Sequence, residues 1–306
     1  MNGASSVLLG QAISLELAVL SLLTKLIADW CAYPLPGLQN LLGNLALFAV
    51  SRYRLKHGQM FALDKRSMLS LLFISTLDTT GAFLTNWSFH FNISLVSMTL
   101  LGSFTIPCVM VLSFLGLGVR YGVSHLLGIA LAICGMLCVL QADGSLMPTQ
   151  AFTPDSLVLL AAVLYSVSNL LSQVFLAGEM DVALYLSWLS LFGLLVSMWQ
   201  VWWNGEIGSL AMGIPWPVWL VLVVHTAAFV LCFWTIALYF TRHDAVGLNL
   251  NLLTSGLFGM GFASSMFHER IVWMKLLGYL LLVLGIGWYS KYPVLTKKTD
   301  YESIIV

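Results

Sequence analysis

Apolar runs of about twenty residues follow one another along this chain with little between them, and that pattern decides its solvent. Ten can be marked, at residues 6–28, 35–55, 67–90, 94–116, 122–141, 155–177, 183–204, 215–240, 245–267 and 273–291. A helix needs about 20 apolar residues to cross the hydrocarbon of a bilayer. Of 306 residues, 59% are hydrophobic and only 8% charged. A soluble domain carries about 25% charged residues, so this chain cannot clothe a surface for water. Backbone groups in lipid must be satisfied within the segment, which favours helices. The long runs also lack the alternating ten-residue pattern of barrel strands. The expectation is an all-α integral membrane protein of ten transmembrane helices, in contact with membrane lipid.

The net charge is zero and no basic patch points to nucleic acid. The cysteines number five, and Cys134 and Cys138, one turn apart, have no His or carboxylate in ligand spacing beside them. They read as packing residues. The first segment lacks a basic leader and is interrupted by Glu16 and Lys25, so it reads as a permanent span and not a signal peptide. Orientation follows from the basic residues. With alternating spans, Arg52, Arg54, Lys56, Lys65, Arg66, Arg120, Arg242, Lys291, Lys297 and Lys298 fall on one side, against Lys25, Arg270 and Lys275 on or towards the other. The positive-inside rule places both termini in the cytoplasm. Plasma membrane and endomembrane (Golgi or endosome) both stay open.

A repeat organises the spans. RYGVSHLLG at 120–128 returns as RIVWMKLLG at 270–278, and at the same offset Gly135 matches Gly285 and Met110 matches Met260. The chain divides into a first five-helix repeat (1–145), a linker (146–155) holding two prolines, a second five-helix repeat (156–292) and a cytoplasmic tail (293–306). An odd number of spans per half forces the copies into opposite orientations. Such five-plus-five inverted repeats recur in secondary transporters, which need two similar gates facing opposite ways. Gly128 and Gly135, and Gly278 and Gly285, sit seven apart and share a helix face, the pattern of close helix contact in lipid and a candidate homodimer contact.

The residues carry a resemblance. The strings GQAIS (10–14), PGLQ (36–39), FTIPCVMVLS (104–113), SLVLLAAVLYSVSN (156–169) and LNLNLLT (248–254) resemble the drug/metabolite transporter superfamily and, within it, solute carrier family 35, subfamily F. The resemblance covers nearly the whole chain, and the F-x-I-P-x-x-M-x-L-S string is its most specific part. It implies a multi-pass carrier of small polar metabolites, with queuine- or queuosine-type nucleobases and nucleosides, or thiamine-like compounds, as substrate classes. The chain departs from the family pattern at Gly102 and Gly256, where the pattern carries carboxylates, and near Ser172 and Gln173. Substrate identity therefore does not carry over residue by residue.

Ionisable groups at mid-bilayer are costly and are site candidates by default. Glu16, Asp78 and His225 qualify, each with helix–helix packing as the plain alternative. Neutral polar residues add stripes at helical spacing: Tyr165 with Asn169 and Gln173, Gln39 with Gly43, Asn40 with Asn44, Asn251 with Ser255 and with Asn249 nearby, and Asn86 on the side of Asp78. Converging stripes would wall a polar cavity. Trp188 lies deep enough to stack on a flat heterocycle, whereas Trp202, Trp203, Trp216, Trp219, Trp273 and Trp288 lie near span ends as an interfacial belt. Pro107 breaks the ladder of the fourth span, and its repeat position, Leu257 between Gly256 and Gly259, is also weak; these are the candidate gating hinges. His268 and Glu269 lack the second His of a zinc-protease motif, and no catalytic or cofactor motif is present. The reading is a secondary transporter, not an enzyme and without cofactor or metal. It binds a small-molecule substrate through Glu16, Gln39, Asp78, Asn86, Tyr165, Asn169, Trp188, His225, Asn249 and Asn251. A nucleotide-sugar or thiamine-like carrier is the alternative within the superfamily, and a non-transporting receptor or scaffold the alternative of another class.

Overall fold

The computed structural model describes residues 3–31, 35–55, 63–117, 122–142, 152–177, 180–243, 245–268 and 272–290. Arg120 and Arg270 of the repeated motif, residues 143–151 around the linker, Glu269 and the tail from 291 lie outside the described residues. The described chain is helical. In order come α1 (Gly3–Trp30), α2 (Pro36–Arg54), α3 (Lys65–Ser88), α4 (Leu95–Gly102), α5 (Thr105–Leu117), α6 (Val123–Ala142) and α7 (Phe152–Ala177). Then follow α8 (Val182–Trp203), α9 (Glu206–Met212), α10 (Trp216–Phe240), α11 (Ala245–Asn251), α12 (Leu253–Met266) and α13 (Trp273–Ser290).

Each expected segment holds a helix, but the fourth and ninth are broken in two and the short α9 falls where a loop was expected. Among the described residues, seven segments are long and apolar enough to cross a membrane: Leu8–Trp30, Lys65–Phe91, Leu95–Gly116, Thr153–Ala177, Val182–Trp203, Trp216–Phe240 and Ala245–Met266. The other three fall short for visible reasons. Helix α2 spends its length on Gln39, Asn40, Gly43, Asn44 and Ser51, all turned into the protein. Helices α6 and α13 offer shorter apolar stretches, Val123–Gly135 and Trp273–Gly285.

The breaks sit one turn earlier than Pro107 and Leu257. Helix α4 stops at Gly102 and α5 starts at Thr105, with Pro107 in its first turn. Proline has no N–H for the carbonyl four residues back and its ring crowds that carbonyl, so the ladder fails at Ser103. The hydroxyl of Thr105 donates to the freed Gly102 carbonyl at 2.6 Å, and Ser166 of α7 donates to the Thr105 carbonyl at 3.1 Å. In the ninth segment the break is at Leu252, with no proline. There Asn251 Nδ2 donates to the Gly247 carbonyl at 2.8 Å, while the Asn251 carbonyl accepts from Ser14 Oγ of α1 at 2.7 Å and Thr254 Oγ1 at 2.9 Å. Hydroxyls thus take over the carbonyls at each break, one of them from a helix distant in sequence.

Packing joins helices far apart in the chain: α6 lies on α13, α2 on α8, α3 on α7, α1 on α10, and α12 on both α1 and α4. The α6–α13 contact is backbone to backbone. A Cβ on Gly135 would stand 2.5 Å from the Gly278 carbonyl oxygen and 2.9 Å from the Leu282 nitrogen, so this glycine face is engaged within the chain. In lipid, where apolar burial gives no drive between helices, such close approach is what holds them.

Helix α2 is fixed at its start by a remote carboxylate. Leu35, its cap, is left-handed (φ 49°) and offers no side-chain acceptor, and Pro36 has no N–H. Glu206 of α9 takes the next two donors: Gly37 N–H at 2.8 Å on Oε1 and Leu38 N–H at 2.7 Å on Oε2. Asn204 Nδ2 adds a third at 2.9 Å. This is N-terminal capping in trans, with charge favourable to the helix dipole. Burial nonetheless holds the carboxyl above the ordinary glutamate value, against the pull of those three donors.

Two outcomes are expected. Gly135→Ala forces α6 and α13 apart and costs about 1–3 kcal/mol, read as a lower melting temperature of the detergent-purified protein; an unchanged value would mean the backbones do not touch. Glu206→Ala leaves two buried N–H groups unpaired, at on the order of 1–3 kcal/mol each. Glu206→Gln, with one acceptor left, should melt between it and the parent.

Candidate functional site

A cavity of about 240 Å³ lies at the centre of the bundle, walled by α1, α2, α3, α4, α5, α7, α8, α10, α11 and α12. Both helix breaks face it: Gly102 and Ser103 from one, Leu252 and Ser255 from the other, belong to the wall. Irregular backbone at membrane depth is tolerated where it is buried in protein or lines a polar cavity. The breaks and the cavity therefore explain each other.

Six of the ten expected substrate-contact residues line the cavity: Asp78, Asn86, Tyr165, Asn169, His225 and Asn249. Asp78 and Asn86 share a face of α3, as their spacing requires, and Asp78 Oδ1 accepts from Ser168 Oγ of α7 at 3.3 Å. Tyr165 and Asn169 come from the same stripe of α7. The Tyr165 ring passes over Gly81, where a Cβ would meet it at 3.2 Å.

Four lie outside the wall, each with its own partner or packing. Gln39 is fully buried behind Thr24, whose Oγ1 donates to Gln39 Oε1 at 2.8 Å. Its neighbour Asn40 takes the place in the wall, donating to the Thr79 carbonyl at 3.1 Å. Glu16 is half-buried on the α10 side of α1, where Thr235 Oγ1 donates to Oε2 at 2.8 Å. Asn251 is tied to the α11–α12 break and to Gln11, whose Nε2 donates to its Oδ1 at 3.5 Å. Trp188 packs in an apolar cluster with Leu71, Ile74 and Leu189, its ring centroid 5.5 Å from that of Phe192. The aromatic surface of the cavity comes instead from Tyr165, Tyr185, Phe240, Phe229 and Phe233, the last two stacked at 4.3 Å. Pro107 is buried beside the α4–α5 break and does not reach the wall.

Thr24 was not legible as a site residue, yet it is a hub. Besides Gln39 it lies 3.4 Å from His225 Nε2 and 3.5 Å from Asn86 Oδ1. The sequence signal that could have found it is its spacing of three from Ser21 and of seven from Leu17, which also line the cavity. Among the described residues, Asp78 is the sole carboxylate of the wall, and no Lys or Arg lines it. The remainder is amide, hydroxyl, imidazole and apolar surface. Such a wall can match the donors and acceptors of a compact neutral or cationic molecule; it offers no paired charge for a phosphate.

Comparison with known proteins agrees with this architecture. The profile of solute carrier family 35 (SLC35F) matches residues 2–291. The chain belongs to that family. It is 27% identical over 297 residues to solute carrier family 35 member F2 of Xenopus tropicalis, covering 93% of this chain and 75% of that protein. The protein of the same name from Mus musculus is 24% identical over 316 residues, covering 98% and 82%. An uncharacterized solute carrier family 35 member of Schizosaccharomyces pombe is 22% identical over 262 residues, covering 81% of this chain and 49% of its own length. A protein of known crystal structure superimposes with a TM-score of 0.65 at 16% identity, over 95% of this chain and 98% of that one; this likeness is one of fold. The chain is therefore an integral membrane solute carrier and not an enzyme.

Proposed function

We propose that this carrier moves a small polar or heterocyclic metabolite by alternating access, with the substrate held at mid-bilayer between two inverted five-helix repeats of a ten-helix bundle. The observation that carries the reading is the central cavity with a broken helix of each half in its wall. Packing supports the repeat. At the offset of 150, α2 corresponds to α8 and α6 to α13, and both pairs are in contact; α4 corresponds to α11 and α5 to α12, and the crossed contacts α4–α12 and α5–α11 are both made. The α1–α10 contact has its counterpart in α7–α3. The serine bonds to the two breaks follow suit, Ser14 of α1 to one and Ser166 of α7 to the other. A pseudo-two-fold of this kind gives two equivalent gates around one fixed site.

The cavity's size and chemistry bear on the substrate. About 240 Å³ lies under the ~300–1,000 Å³ usual for drug-sized ligands. That suits a nucleobase-sized molecule better than a nucleotide sugar, whose diphosphate would also find no Lys or Arg in the described wall. Queuine or queuosine, the class implied by the resemblance, is the specific candidate, and a thiamine-like compound the second. A scaffold has no need of a buried polar chamber, so the cavity favours transport over a receptor or structural role. Both termini face the cytoplasm in this reading.

Asp78, the carboxylate in the described wall, is the proposed proton-coupling group; Glu16 faces away from the cavity and is the lesser candidate. Purified protein in liposomes should show saturable uptake of one labelled compound from a panel of nucleobases, nucleosides, thiamine and nucleotide sugars. Asp78→Asn should remove the dependence of that uptake on a pH gradient, while Glu16→Gln leaves it in place. Unaltered pH dependence in Asp78→Asn would reject the coupling role, and no uptake across the panel would reject transport of these classes.

A further inference from the structure

Two buried side-chain polar atoms among the described residues have no hydrogen-bond partner, His225 Nδ1 on α10 and Asn249 Oδ1 on α11, and both residues line the cavity. The residues are 3% and 1% exposed. A buried polar group left without a partner is costly, so such atoms call for an explanation. Two in the walls of one chamber point to a shared one, a ligand that supplies their partners.

The hydrogen-bond network tells which partners they need. Asn249 Nδ2 donates to the Ala245 carbonyl at 2.7 Å. That bond fixes the amide orientation, so the free atom is the oxygen, an acceptor only. At His225 the proton's place is set by Thr24. Its hydroxyl has one hydrogen, and the nearest acceptor, Gln39 Oε1 at 2.8 Å, takes it. Towards His225 Nε2, at 3.4 Å, the Thr24 oxygen can then only accept. The imidazole proton is thereby assigned to Nε2, which leaves Nδ1 as a bare lone pair. A third acceptor stands across the chamber: Asp78, whose Oδ1 takes one bond from Ser168. These three acceptors come from α3, α10 and α11, and no cationic side chain in the described wall competes for them.

Resting on the transport reading above, we propose that the cavity selects its substrate by hydrogen-bond donors. The substrate presents one N–H or O–H to His225 Nδ1 and another to Asn249 Oδ1, with an amino or amidine group towards Asp78, and Thr24 is the positioning residue that sets the histidine tautomer. The class this defines is an amino-substituted heterocycle or a compact protonated amine. Sites built around donor–acceptor matching reject analogues that lack the group, because their own buried atoms stay unpaired.

The test compares ligands on the unaltered protein, so it does not depend on any variant folding. Liposomes holding the full chain are given labelled guanine, adenine, cytosine and 2-aminopyrimidine. Each uptake is competed with the parent compound, with its N,N-dimethylamino counterpart, and with the corresponding carboxylate or phosphate derivative. The expected result is saturable uptake of one or more parents, with dimethyl counterparts competing about tenfold or more weakly. Asn249→Leu and His225→Phe, checked for a monodisperse elution profile, should erase that discrimination. Thr24→Val should weaken it, and Thr24→Ser should restore it. Equal competition by parent and dimethyl compounds would overturn this proposal while leaving the transport reading intact. Preferred uptake of the anionic derivatives would overturn it as well. Uptake of none of these compounds, with saturable uptake of another member of the wider panel above, would overturn this proposal alone; no uptake of any would overturn both.

Discussion

Inside a bilayer every backbone carbonyl and amide must find its partner within the protein, and the two interrupted helices are where this chain meets that demand most severely. Breaking a helix at mid-membrane frees several polar groups at once, each costing kilocalories if left in hydrocarbon. Here the Gly102 carbonyl is taken by the Thr105 hydroxyl and the Asn251 carbonyl by Ser14, with Ser166 of α7 3.1 Å from the Thr105 carbonyl. Ser14 sits on α1, so the second break is closed only when a helix distant in sequence is in place. Local irregularity and global arrangement are satisfied by the same bonds.

The cavity follows from this. Interrupted backbone needs polar neighbours, and the neighbouring helices bring amides, hydroxyls, an imidazole and one carboxylate to the same region. Around it the apolar clusters of Leu95, Leu100, Ile106 and Met260, and of Leu47, Leu71, Ile74 and Trp188, supply the close packing that holds the helices together. Glu206 acts at a distance from the chamber, fixing the start of α2, the helix that buries Gln39 and places Asn40 in the wall. A carrier needs such fixed points, because a site contacted from many helices is only as well placed as those helices.

The helices were legible because apolar length is a strong signal, and the proline explains one break by simple geometry. The second break was harder to place: Asn251 turns its amide back on the Gly247 carbonyl, a tertiary choice made by Ser14 and Gln11 against it. Within the site, Asp78 and Asn86 were legible because eight residues bring a helix back to the same face. Gln39 and Asn40 were not separable, since neighbours on a helix point about 100° apart and only packing decides which looks inward. Glu16 satisfies the rule that a mid-span carboxylate has a partner, and here a neighbouring helix supplies it through Thr235. Thr24, one residue before an interfacial lysine, carried no polar stripe strong enough to mark it as the hub.

The central claim is that one buried chamber is reached alternately from the two faces of the membrane. Ser168 lies in its wall at 2% exposure. With the five native cysteines replaced, Ser168→Cys can be challenged in sealed liposomes of known orientation with a small membrane-impermeant thiol reagent, applied from one side or the other. The account predicts slow modification from each side in turn, with transported substrate slowing both. Modification from one side only, or from neither, would contradict it.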